Sequence, residues 1–294
     1  MKKFALIIAA LCAPSLFAQT AGNTFFDKLA SGWQTGVSLD ASECIAVPAD
    51  IESGMGDMGV YETAATLKLR ANSEKSFVDF SAGWTHSYYD FGANSPFSSV
   101  NKISADIFIT QRLGGRWSAF AIGSAAFAAE SSASLADGYR VVAGGGAGYA
   151  FSENLRAGIG LAAFSRMDRN WLPLPVGFIN WKIDEHWSVK TMSGAVVEYD
   201  VYADGALLLH ASCEYVLTYI RLNDSALGAR RCVGDSYCNV SFGATYNFSE
   251  NFYVSASAGF NCFRELVFRE NGDNVGDPDV DTAPTFFFHA GCRF

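Results

Sequence analysis

Pro284-Thr-Phe-Phe-Phe-His-Ala-Gly-Cys-Arg-Phe294 closes the chain. Stepping back in twos from Phe294 gives Cys292, Ala290, Phe288 and Phe286, all apolar. The other phase carries Phe287, His289, Gly291 and Arg293, mostly small or polar. Residues two apart on a strand share a face, so this is a strand with one greasy side running to an aromatic carboxy-terminus. A soluble sheet has no physical need for a bulky aromatic at its chain end. The closing strand of a transmembrane β-barrel, with one face in lipid, suits the pattern.

The other end of the chain agrees. Met1-Lys2-Lys3 is a short basic start, followed by an apolar run from Phe4 to Leu11 and then Ala13-Pro-Ser-Leu-Phe-Ala18. This predicts a secretory signal peptide over residues 1–18, cut between Ala18 and Gln19. The run is too short to cross a bilayer as a helix, and no later stretch approaches ~20 unbroken apolar residues. Leu11 before Cys12 is a poor fit to lipid attachment. Removing Lys2 and Lys3 leaves 19 basic against 30 acidic residues, a net charge of −11. An acidic chain without a basic cluster excludes nucleic acid as a partner class. Half the residues are apolar and aromatics are abundant, with 24 Phe, 12 Tyr and 6 Trp; that is greasy for a soluble protein and ordinary for a barrel in lipid.

From about residue 33 the chain reads as strand after strand. Phe151-Ser-Glu-Asn-Leu155, Ile183-Asp-Glu-His-Trp187 and Phe248-Ser-Glu-Asn-Phe252 are near-copies of one tight polar turn clasped by apolar residues. Asn72-Ser-Glu-Lys75, Gly114-Gly-Arg116 and Ala203-Asp-Gly205 add three more. Barrels carry short turns on the periplasmic rim and longer loops outside. Six inner turns predict fourteen strands, at 33–45, 59–70, 76–90, 100–113, 116–130, 138–151, 155–168, 171–183, 187–193, 195–202, 206–222, 236–248, 252–268 and 284–294. The weakest pair is 187–193 with 195–202; without it the count is twelve. Alternation supports the assignment. In 100–113, Ile103, Ala105, Ile107, Ile109 and Leu113 oppose Lys102, Ser104, Asp106, Thr110 and Arg112. Pro173 and Pro175 in 171–183 cannot donate ladder hydrogen bonds and predict irregular pairing near the outer rim.

The signal peptide, the repeated Ser-Glu-Asn turns, Leu172-Pro-Leu-Pro-Val-Gly177 and the terminal Phe resemble Gram-negative outer-membrane β-barrel families of unknown function. The likeness covers nearly all of the mature chain, and it implies architecture rather than an activity. The closing strand, through Phe286, Phe288 and Phe294, is similar to the signature read by the barrel-assembly machinery. Outer-membrane lipid and lipopolysaccharide are the other expected partners.

Function in such a barrel lies in the lumen. Alternation aims Glu62, Lys68, Arg70, Asp79, Lys102, Asp106, Arg112, Arg156, His210, Glu214 and Arg293 inward. Such charges either line a water-filled pore or pair off and plug it. His210, Ser212 and Glu214 share one strand face, but two-residue steps separate them by ~6.5 Å, too far for a direct catalytic relay. Gly144-Gly-Gly-Ala-Gly148 does not match a phosphate-binding spacing, and no helix follows it. No cofactor is implied. In the last outer loop, Asp277, Asp279 and Asp281 alternate and are a weak Ca²⁺ candidate beside the ordinary reading of a solvated acidic loop. A Cys232–Cys238 bridge would pin the loop before the twelfth strand. Cys262 and Cys292 fall on adjacent strands and the same outward face, as a pair or as two lipid-facing thiols.

The expected protein is all-β: residues 19–32 as a periplasmic segment, then an antiparallel transmembrane barrel over 33–294. The expected function is a porin-like channel for passive diffusion of small solutes. If 19–32 folded inward as a hatch, the barrel would suit hydrophobic molecules. A non-conducting structural or surface-interaction barrel is the alternative, and a lipid-acting barrel enzyme a third.

Overall fold

The structure, a computed structural model, describes residues 34–294 apart from 53–55, 93–94, 168, 192–193 and 225–228. The signal peptide and the 19–32 segment lie outside the described residues. The wall is built from β1 (Gln34–Asp50), β2 (Asp57–Asn72), β3 (Ser76–Asp90), β4 (Ser99–Gly114), β5 (Trp117–Glu130), β6 (Tyr139–Ala150) and β7 (Leu155–Arg166). It continues through β8 (Arg169–Lys182), β9 (Trp187–Thr191), β10 (Gly194–Asp200), β11 (Leu207–Arg221), β12 (Arg231–Asn247) and β13 (Phe252–Glu270). After β14 (Asp273–Gly276) and β15 (Asp279–Val280), short pieces that pair with β13, Val280 also bridging to Ile51, the last strand β16 (Ala283–Arg293) returns to the wall. β16 pairs with both β13 and β1, and β12 pairs with β13, so fourteen antiparallel strands close into a barrel. The weakest expected pair does form, as β9 and β10.

The three near-copy turns fold alike. Phe151, Ile183 and Phe248 each donate a backbone N–H to the carbonyl four residues on, at Leu155, Trp187 and Phe252. The polar residue next in line then caps the turn. Ser152 accepts from Asn154 N–H, Ser249 from Asn251 and Phe252, and the Asp184 carboxylate from His186 and Trp187 at 2.8 and 2.7 Å. Those two backbone donors hold the Asp184 carboxyl below the usual carboxylate range. Its contribution to stability is therefore present above its unfolded pKa and lost as pH falls through the lowered folded value. Asp184→Asn should accordingly weaken the acid-side fall of the unfolding temperature; an unchanged slope would assign that fall to other groups. Around these turns Trp117, Tyr149, Phe151, Trp187, Tyr199, Tyr246 and Phe248 form an aromatic girdle, with neighbouring rings 4.8–5.1 Å apart.

Outward positions carry exposed apolar side chains along the whole wall, among them Leu39, Leu67, Ile103, Ile159, Phe242 and Phe286. Inward positions are polar on one sector and apolar on another. Phe108, Phe120, Ile122, Val142, Phe164 and Val176 fill the side under β4–β8. A second apolar cluster, including Met58, Tyr89, Phe91, Ile220 and Leu266, lies across the outer ends of β2, β3, β11 and β13. There β11, still paired with β12, also meets β5 at Arg221 and Ala129.

β8 pairs with β7 in unbroken register past both prolines, with Ala163 opposite Pro173 and Leu161 opposite Pro175. The β7–β8 register shifts only beyond them, between Phe164 and Arg166 at the outer end of the strands. β12 starts at Arg231, earlier than alternation suggested, and this corrects the loop disulfide. Cys232 and Cys238 stand six positions apart on one strand, ~20 Å at 3.3 Å per residue, which no disulfide spans. Cys238 instead lies 3.5 Å, sulfur to sulfur, from Cys213 of β11 and opposite Cys262 of β13. Cys262 and Cys292 do share the outward phase, but Cys292 pairs with Phe252, ten positions below Cys262. They cannot bridge.

Candidate functional site

Eleven side chains were expected in the lumen; ten of them are at least partly buried, and Arg112 is exposed. Several engage one another. Arg70 Nε donates to Asp79 Oδ2 at 2.8 Å, and Lys68 Nζ lies 2.7 Å from Asp40 Oδ2. Asp40 also accepts from Tyr253 OH at 2.5 Å, and His289 Nε2 stands 3.7 Å from it. Arg293 stacks over the Tyr253 ring at 4.4 Å. This network joins β1, β2, β13 and β16 just where first and last strands meet. Glu62 accepts from Ser87 at 2.9 Å, and Asp106 from Ser81 at 3.3 Å. Arg112 sits exposed near the inner end of β4, and Arg156 faces it from β7 with a positive field.

His210, Ser212 and Glu214 do not assemble. The Ser212 hydroxyl bonds Ser241 at 2.7 Å, and His210 Nδ1 is buried without a hydrogen-bond partner. Among the described residues no hydrogen bond joins Ser212 to His210 or Glu214. Asp277, Asp279 and Asp281 are exposed and do not converge: among the described residues no group of three or more potential metal ligands forms.

Alternation missed the most buried pair. Arg264 donates from Nε to Asp235 Oδ1 at 2.9 Å and from Nη2 to Oδ2 at 2.6 Å, with both side chains at most 3% exposed. Tyr89 OH donates to the same carboxylate at 3.0 Å, and Arg264 lies 4.8 Å over the Tyr237 ring. Strict alternation in β13 puts Arg264 outside, in phase with Cys262. A bulge at Phe263, with φ of 56°, shifts the phase and brings Arg264 in. A cation in a lipid-facing phase was the signal that could have found it, since such a charge is costly at membrane depth. Lys190–Glu198 at 2.6 Å, Asn239 with Asn261 and Thr285, and Arg140 also line the lumen unforeseen.

Two charged groups stand apart. Lys102, near the outer end of β4, and Glu214, midway along β11, lie in the inward phase, and among the described residues neither makes a side-chain hydrogen bond or ion pair. Lys102 lies in the fields of Glu62, Asp106 and Arg140, while Glu214 has no charged neighbour.

Solved structures with this architecture are outer-membrane barrels. The Pseudomonas putida toluene transporter TodX is 11% identical, with 98% of this chain and 94% of that one covered at a TM-score of 0.44. The COG4313 outer membrane channel from Pseudomonas putida F1 is 9% identical, covering 93% and 99% at 0.47. The NanC porin is 10% identical, covering 86% and 98% at 0.42. These likenesses concern architecture alone. No curated protein matches the chain. Residues 49–291 match the family described as "Domain of unknown function (DUF6268)".

Proposed function

We propose that this chain, which belongs to the DUF6268 family, is a channel of the bacterial outer membrane through which small solutes diffuse passively, with no chemical step. The observation that carries this reading is the pair Lys102 and Glu214. Both are half-buried, and an ammonium or carboxylate that has no partner among the described residues keeps its charge only in contact with water or a polar solute, which favours a wet lumen around them. The acidic outer loops suit a surface of lipopolysaccharide bridged by divalent cations, and the outward Phe286, Phe288 and Phe294 suit recognition by the assembly machinery.

Single-channel recording of the folded barrel in a planar bilayer tests the reading. Reproducible ohmic steps are expected, and Lys102→Glu should move the reversal potential toward cation selectivity. Silence from protein shown to be folded would end the channel reading. A second reading, a non-conducting structural barrel, is favoured by the apolar cluster across the outer ends of the strands. It requires silence in both wild type and variant.

A further inference from the structure

The wall is interrupted above the β9–β10 hairpin. β8 pairs with β9 only over Ile179–Lys182, and β10 reaches β11 no higher than Glu214. Above those points β8 and β11 have no described strand between them. A five-residue strand tilted by ~40° rises about 13 Å, roughly half of the ~25 Å apolar band of an outer-membrane barrel. The interruption therefore opens at membrane depth.

Unpaired strand edges in hydrocarbon cost several kcal/mol for each orphaned group. Each edge here is relieved of part of that cost. Ile179 N–H donates to Thr191 Oγ1 across β9, so odd positions of β8 aim their backbone at the interruption. Beyond Gly177, the next two such positions are Pro175 and Pro173, which have no N–H to orphan. On the facing edge, the Leu217 carbonyl accepts from Arg140 Nη1 at 2.9 Å, and Arg221 bridges to β5. The floor of the interruption is the apolar sector of the lumen, Val142, Phe164 and Val176 with Leu174 packed against them, and its β8 rim carries Leu172, 37% exposed.

We infer that small apolar molecules from the surrounding bilayer bind at this interruption between β8 and β11, which gives them a lateral route to the lumen. The inference deepens the channel reading and rests on its membrane placement. It names an apolar class of solute and a side entrance.

The test uses the folded full chain in phosphatidylcholine nanodiscs, titrated with N-phenyl-1-naphthylamine and corrected for empty discs. Saturable binding is expected, weakened at least tenfold in Leu174→Glu and in Leu172→Glu, with folding checked by heat-modifiable migration. Leu172 is exposed at the rim, so its variant can fold; Leu174 packs against the floor, and its variant is read only from the fraction shown to be folded. Gly36→Ala, where an added Cβ meets nothing within 4 Å, should leave probe affinity unchanged. A signal no greater than that of empty discs, or undiminished affinity in both rim variants, overturns the inference. Probe binding by a barrel that conducts nothing would end the polar channel reading and leave this one standing.

Discussion

Replacing Arg264 by methionine is expected to destabilise the folded barrel by about 3–5 kcal/mol, because it strands the Asp235 carboxylate in a site where both side chains are at most 3% exposed. The two-pronged contact holds both carboxylate oxygens, and removing the guanidinium leaves Tyr89 OH as the carboxylate's remaining hydrogen-bond donor. One neutral hydroxyl does not replace two charge-assisted bonds. The loss should appear as a lower urea midpoint with little change in slope, followed in lipid vesicles. The double change Asp235→Leu with Arg264→Met should recover most of it, since removing both charges leaves no orphan. A single variant as stable as wild type would mean that water reaches Asp235, and that the outer apolar cluster does not seal the pair.

Gly160→Val should prevent the barrel from assembling at all. Gly160 faces Gly146 across β6 and β7, both in the inward phase. A Cβ on Gly160 would collide with the Gly145 carbonyl oxygen and stand 2.8 Å from Gly146 Cα; one on Gly146 would strike Ile159 O and stand 2.6 Å from Gly160 Cα. The obstacles are backbone atoms, so no side chain can rotate away, and the strands would have to part and lose ladder bonds that lipid cannot replace. Close approach of two strands, not a special φ, makes glycine necessary here. The fraction of heat-modifiable barrel after refolding is the readout, with Gly36→Ala as control because a Cβ there meets nothing within 4 Å. A wild-type folded fraction for Gly160→Val would show that β6 and β7 tolerate a wider spacing.

Period-two alternation and repeated turns are local properties of the chain, and they carried the architecture. Ser152, Asp184 and Ser249 cap their own turns within three residues, so six inner turns and fourteen strands could be counted before any pairing was known. The inward phase of Glu62, Lys102 and Glu214 followed from the same period. What alternation could not supply is anything that depends on how distant strands stagger and lean. One bulge at Phe263 exchanged the two faces of β13 and put Arg264 onto Asp235, twenty-nine positions away. The start of β12 moved Cys232 from a loop into a strand and dissolved the expected bridge. The closure of β11 onto β5, and the half-height wall beside β8, arise because β9 and β10 stop short while their neighbours continue. Strand length relative to neighbours is a property of the closed sheet. The sequence by itself therefore determined that this chain is a barrel and which phase of most strands faces inward. Only the tertiary structure decided which inward charges meet, where the lumen is filled, and where the wall opens, because those contacts join residues that no local period relates.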